Sequence, residues 1–131
     1  MALVNSSSPK LGNLLKLEYA REHGFCRETV IANEAAAEQY SVGSLVGKVT
    51  VGGKYKLVDP TASDGSQVVA GIVLENKPVA ATTDTEITIL ARGMAIVADK
   101  AIVYDKTFDA GQKTAAVSEI QALNILVRTQ V

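Results

Sequence analysis

Apolar positions along the chain fall mostly into short runs with a period of two, and helical spacing is clearest in one stretch near residue 120. Alternation places successive side chains on opposite faces of a strand. From residue 41 onward the pattern predicts strands over 45–51, 54–58, 67–74, 86–91, 94–97 and 102–104. Gly43, Gly52-Gly53, Asp59-Pro60, Asp64-Gly65-Ser66 and Arg92-Gly93 break the runs where turns are needed. Residues 67–74 (Q-V-V-A-G-I-V-L) are apolar almost throughout and read as the most buried strand. Residues 75–83, which contain Pro78, read as a polar connection.

Two segments call for helix. Val117, Ile120 and Leu123 lie three apart, and Ala116 with Ile120 adds the four-residue spacing of one helical face. Thr114 is the expected cap of that helix, Asn124 its end, and residues 125–129 a final strand. Upstream, residues 26–32 predict a strand. Asn33 would then cap a short Ala-rich helix over 34–40, marginal at two turns without tertiary support.

The N-terminal region reads differently. Residues 1–9 are small and polar and are expected to form a flexible arm. In the next stretch Leu15, Leu17 and Tyr19 alternate with Lys16 and Glu18, as in a strand, while Leu11, Leu14 and Leu15 fit a short helix equally well. An apolar stretch beside a polar terminus points to a partner surface, so Leu11, Leu14, Leu15, Leu17 and Tyr19 are the candidate binding residues. The competing reading packs them on their own domain. The expectation is an N-terminal arm over 1–24 and a β-rich domain over 25–131. The fold class is mainly β with one or two short helices (α+β).

Composition narrows the function. With 47% hydrophobic and 21% charged residues the chain is globular rather than disordered. Net charge is −1 and the lysines are scattered, so no basic block is available to neutralise a run of phosphates. Trp is absent and there are only 2 Phe, which leaves few platforms for stacking bases. Nucleic acid is therefore not an expected partner. The single Cys26 cannot form an intrachain disulfide, consistent with synthesis in a reducing compartment. The sequence MALVNSSSPK lacks the apolar run of a signal peptide, and Asn5-Ser6-Ser7 reads as a chance sequon. No apolar run approaches the roughly 18 residues of a membrane helix, so a soluble chain with no membrane partner is expected.

Candidate chemistry is sparse. Residues 43–49 (G-S-L-V-G-K-V) resemble a phosphate-binding loop, but three residues rather than four separate the glycines and Val49 stands where a hydroxyl should follow the lysine. Asp59, Thr61, Ser63 and Asp64 resemble a calcium loop without its sixth-position Gly and twelfth-position Glu. His23 and Cys26 form one isolated pair, whereas zinc needs three or four protein ligands and a thiol nucleophile needs an oriented base. No G-x-S-x-G elbow occurs. The chain is expected not to be an enzyme, and no catalytic, cofactor or metal residue is assigned.

The order and spacing of several features resemble the lambda-type phage head decoration protein family. They are Arg27-Glu28-Thr29-Val30, the glycine-bounded run Gly43-Ser44-Leu45-Val46-Gly47-Lys48-Val49-Thr50, Tyr55, and the Asp64-Gly65-Ser66 turn. Val69-Ala70-Gly71-Ile72-Val73-Leu74, Ala80-Ala81-Thr82-Thr83-Asp84, Arg92-Gly93 and the closing helix and strand through Leu126-Val127-Arg128 complete it. The resemblance covers roughly residues 25–129. It implies a β-clip-like fold and a homotrimer at threefold sites on an expanded head, braced against the pressure of packaged DNA; the extended N-terminal arm is the reading of the residues before 25. The implied partner is the major capsid protein, contacted on the outer face of the virion after assembly in the host cytoplasm. Competing readings are another virion part, such as a tail or fibre module, and a small β-rich ligand-binding domain with a deep pocket.

Overall fold

A computed structural model describes residues 11–129; the polar segment expected over 1–9 lies outside them. The chain opens with a single turn of helix, α1 (Leu11–Leu14), that runs directly into strand β1 (Leu15–Glu18). Both readings of this ambiguous segment are thus realised in succession. Strands β2 (Arg27–Ala32), β3 (Glu38–Tyr40), β4 (Leu45–Lys48), β5 (Tyr55–Leu57), β6 (Gly71–Val73), β7 (Lys77–Val79), β8 (Thr85–Leu90) and β9 (Ala95–Ala98) follow. Helix α2 (Ala110–Ala122) and strand β10 (Ile125–Arg128) complete the described chain.

Five strands close a barrel in the order β2-β5-β4-β6-β8. Its longest seam, between β2 and β8, is antiparallel and pairs Arg27 with Leu90 through to Ala32 with Thr85. Its shortest, between β2 and β5, is parallel and rests on Ala32 opposite Tyr55. A separate sheet has the order β1-β9-β10, antiparallel on one side of β9 and parallel on the other. Helix α2 supplies the crossover that a parallel pair requires.

Two apolar clusters hold these layers together. One, with Val46, Leu57, Val73, Ile87 and Ile89, fills the barrel. The other joins the barrel wall to the small sheet and α2 through Leu45, Ile72, Leu90, Val97, Ile120 and Ile125. Leu14 is 0% exposed and belongs to that second cluster.

The structure departs from the expected elements where tertiary pairing overrides a local pattern. Residues 34–40 form no helix. Glu34 bridges Ala81, and β3 pairs with β7. A two-turn helix cannot outcompete the bonds this segment makes as extended chain. The buried Glu34 carboxylate accepts from the Leu57 amide at 2.8 Å and from the Tyr40 hydroxyl. Residues 77–79, expected as connection, form β7 despite Pro78, which is tolerable because the ribbon has only two strands. Residues 102–104 make a single bridge, Val103 to Ser44, after a 3₁₀ turn. Helix α2 begins five residues earlier than expected. Asp109 caps it, accepting from the Gln112 amide while the Gln112 side chain accepts from the Asp109 amide.

Gly47 occupies a position that no side chain can share. A Cβ there would lie 2.6 Å from the carbonyl oxygens of both Ser66 and Val68. Gly47→Ala is expected to lower stability by about 2 kcal/mol, the usual scale of overpacking a rigid backbone contact. Urea denaturation checks this; an unchanged midpoint would show that the 66–68 loop yields freely.

Candidate functional site

The residues that resembled catalytic or metal-binding motifs are occupied structurally. Gly43 and Ser44 donate their amides to the carbonyls of Val73 and Ser41, leaving no cradle for a phosphate. Asp59 accepts from the Thr61 amide and hydroxyl at 2.9 and 2.7 Å. Asp64 accepts from the Ser66 amide and hydroxyl at 3.0 and 2.5 Å. Both carboxylates therefore fold their own loops. Cys26 is buried, and its thiol donates toward the Tyr19 and Met94 carbonyls at 3.4 and 3.6 Å. Burial, followed by the nearby Glu18 charge, pushes that thiol's pKa up, away from a reactive thiolate. His23 points into solvent beside Glu22. Among the described residues no group of three His, Cys, Asp or Glu is placed to hold a metal, and no helix is long and apolar enough to cross a membrane.

Asp64 carries a pH signature. Its hydrogen bonds from the Ser66 side chain and amide hold its pKa down to about 2. A carboxyl depressed on folding stabilises the loop above its ordinary pKa, and that contribution is lost as pH falls through the folded value. The Asp64 carboxyl carbon is expected to titrate in NMR spectra with a midpoint of about 2. In Ser66→Ala the midpoint should rise toward the usual value of about 3.9; an unmoved midpoint would count against the turn as its cause.

The notable surface is the outer face of the small sheet. Leu17 of β1 sits opposite Ile96 of β9, which in turn sits opposite Leu126 of β10. The period of two turns Ala95, Val97, Ile125 and Val127 inward onto the core and leaves this apolar row outside. At one end the chain leaves β1 through Ala20, at a left-handed φ of 51°, into a 3₁₀ turn (Arg21–His23). That turn brings Phe25 edge-on to Tyr19, with ring centroids 5.7 Å apart. The Tyr19 amide donates to the Met94 carbonyl at 2.8 Å, tying the same corner to the start of β9. Leu17, Tyr19, Phe25, Met94 and Leu126 are between 46% and 63% exposed. The other exposed large apolar residues, Ile31, Val51 and Val68, lie on β2, at a hairpin tip and in a loop.

Charge frames the patch. Glu18, whose side chain is buried, takes both Nε and Nη2 of Arg27 at 2.8 Å. Arg92 pairs with Glu28 and lies 5.8 Å over the Phe25 ring. Aromatic residues, Met and Arg are the types enriched where proteins meet proteins.

A sequence model of the bacteriophage lambda head decoration protein D family matches residues 6–125. The chain belongs to that family. The match takes in the segment before residue 25, which the resemblance read from the sequence did not cover. No curated protein matches this decoration-family chain.

The five arm residues separate into two groups in this family member. Leu14 is fully buried, and Leu11 and Leu15 pack against the same core. Leu17 and Tyr19 face solvent on the patch. The described part of the 1–24 segment is therefore built into the domain, because β1 needs β9 for its main-chain bonds and Leu14 fills the core. Sequence reasoning missed Phe25, Met94, Ile96 and Leu126, which join the patch only through pairing of distant strands.

Proposed function

We propose that the chain is a structural capsid decoration protein. It binds the major capsid protein on the outer surface of an expanded phage head, as a homotrimer at threefold sites, and braces the shell against the pressure of packaged DNA. It is made in the host cytoplasm and ends in the virion. The observation that carries this reading is the family match over residues 6–125. The apolar sheet face supports it by offering a protein-binding surface, and β1 keeps one edge without a strand among the described residues. Main-chain pairing at that edge and side-chain fit on the face are compatible modes of attachment. Repetition over many equivalent sites makes modest contacts cumulative.

The test is direct addition. Purified chain is mixed with undecorated expanded heads of the phage that encodes it, and the heads are sedimented. The expected result is saturable binding in multiples of three per threefold site, with heads that retain their DNA under osmotic shock. Chain that stays in the supernatant at every concentration defeats the proposal.

A further inference from the structure

All four arginines of the chain, Arg21, Arg27, Arg92 and Arg128, lie on the small sheet or on the segments that flank its Tyr19 corner and the adjoining end of β2. Lys16 stands on β1 beside them. Against these cations the same surface offers Glu18, Glu22 and Glu28, while Asp99 and Lys100 at the far end of β9 offset each other. Glu18 and Glu28 are already committed to Arg27 and Arg92. Among the described residues Lys16, Arg21 and Arg128 pair with no carboxylate; the Lys16 ammonium donates only to the Gly12 carbonyl, at 2.9 Å. The chain as a whole has a net charge of −1, so this end is positive on a molecule that is otherwise acidic.

The edge of β1 that carries no strand among the described residues borders a cleft of about 190 Å³. Leu11, Leu15 and Leu17 form its apolar walls, and Lys16, Arg21 and the Glu18–Arg27 ion pair stand at its rim. An apolar floor with unpaired cations at the lip selects a partner that is apolar and acidic together. A neutral apolar segment would desolvate Lys16 and Arg21, which have no carboxylate among the described residues, and a purely acidic one would leave the leucines in water.

We infer that the β1 cleft and the adjoining sheet face dock an extended, acidic and apolar segment of the capsid shell, with a carboxylate of that segment seated between Lys16 and Arg21. This rests on the decoration reading and names the chemistry of its partner. Leu17 supplies the apolar contact next to the carboxylate site, and Arg128 extends the positive field along the same face, opposite Ala98.

The experiment measures binding of the full chain to undecorated expanded heads at two salt concentrations. Wild-type affinity is expected to fall about ten-fold between 50 and 500 mM NaCl, because exposed ion pairs are screened within a Debye length. Charge reversal in Lys16→Glu/Arg21→Glu should cost about ten-fold or more at low salt and flatten the salt dependence. Lys48→Glu, the same change on an exposed barrel residue, should stay within about two-fold. Because Lys16 and Arg21 are exposed, unchanged circular dichroism is expected; should the reversal misfold, Lys16→Gln/Arg21→Gln gives the same comparison with smaller change. Wild-type binding that ignores salt and survives the reversal overturns this inference while leaving the decoration reading intact. Wild type that never binds heads overturns both. A reversal that alters self-association in sedimentation but not head binding assigns the cleft to a second copy of the chain and also overturns it.

Discussion

Leu17→Asp combined with Leu126→Asp is expected to reduce addition to undecorated heads by about 100-fold or more while leaving the thermal midpoint within a few degrees of wild type. Both side chains lie on the outer face of flanking strands, about half exposed, so neither carboxylate has to enter the core. Burying the exposed half of a leucine in an interface contributes about 0.8–1.5 kcal/mol. Losing two such contacts costs about 1.5–3 kcal/mol, and desolvating two unpaired carboxylates carries the total past the roughly 2.7 kcal/mol that corresponds to 100-fold. Ile96 is left in place because it lies in the central strand, where a charge would disturb pairing on both sides. Co-sedimentation with heads, paired with thermal melts of the free chain, separates a binding defect from a folding defect. Undiminished binding would remove the sheet face from the attachment.

Glu34→Ala should be the most damaging single change to the fold, lowering stability by about 3–5 kcal/mol. The carboxylate is buried at 4% exposure and joins three places at once: its own segment, the Leu57 amide of β5 and the Tyr40 hydroxyl of β3. Alanine leaves a buried amide and a buried hydroxyl without an acceptor and opens a cavity, and each orphaned donor costs about 1–3 kcal/mol. Burial, reinforced by the Glu34 bond, drives the Tyr40 pKa upward, so its hydroxyl keeps its proton and remains the donor. Glu34→Gln retains an acceptor of similar size and should lose only about 1–2 kcal/mol. Chemical denaturation of the two variants side by side provides the check; equal losses would mean that the charge, rather than the acceptor geometry, matters.

This same carboxylate marks where the sequence stopped being legible. Ala35, Ala36 and Ala37 favour helix locally, and nothing nearby shows that Glu34 will meet Leu57 and Tyr40. The three-residue strands β3 and β7 carry too short an alternation to stand out, and Pro78 argues against the second. By contrast β9, α2 and β10 were readable because each turns one apolar face toward one core, and β4 and β8 because turn residues bound runs whose apolar side chains reach both clusters. The expected cap of α2 lies five residues too late because Thr114 and Asp109 are both good caps, and only the reciprocal bond with Gln112 distinguishes them. The candidate site was half legible. Leu17 and Tyr19 were visible as an apolar stripe near the terminus, whereas Ile96 and Leu126 join them from strands brought together only by register. Leu14 shows the converse: the same stripe contains a residue that belongs to the core.

The register of the small sheet has a consequence for the order of events during synthesis. Its central strand, β9, is flanked by a strand from near residue 15 and by another from near residue 125. At translation rates of roughly 5–20 residues per second, β10 emerges roughly 5–20 s after β1. Until then Ile96 has no Leu126 beside it, and the apolar row does not exist as a surface. A nascent chain therefore cannot present the completed apolar face, and the proposed attachment side of the molecule becomes available only once the strands of the barrel that carries it have been synthesised.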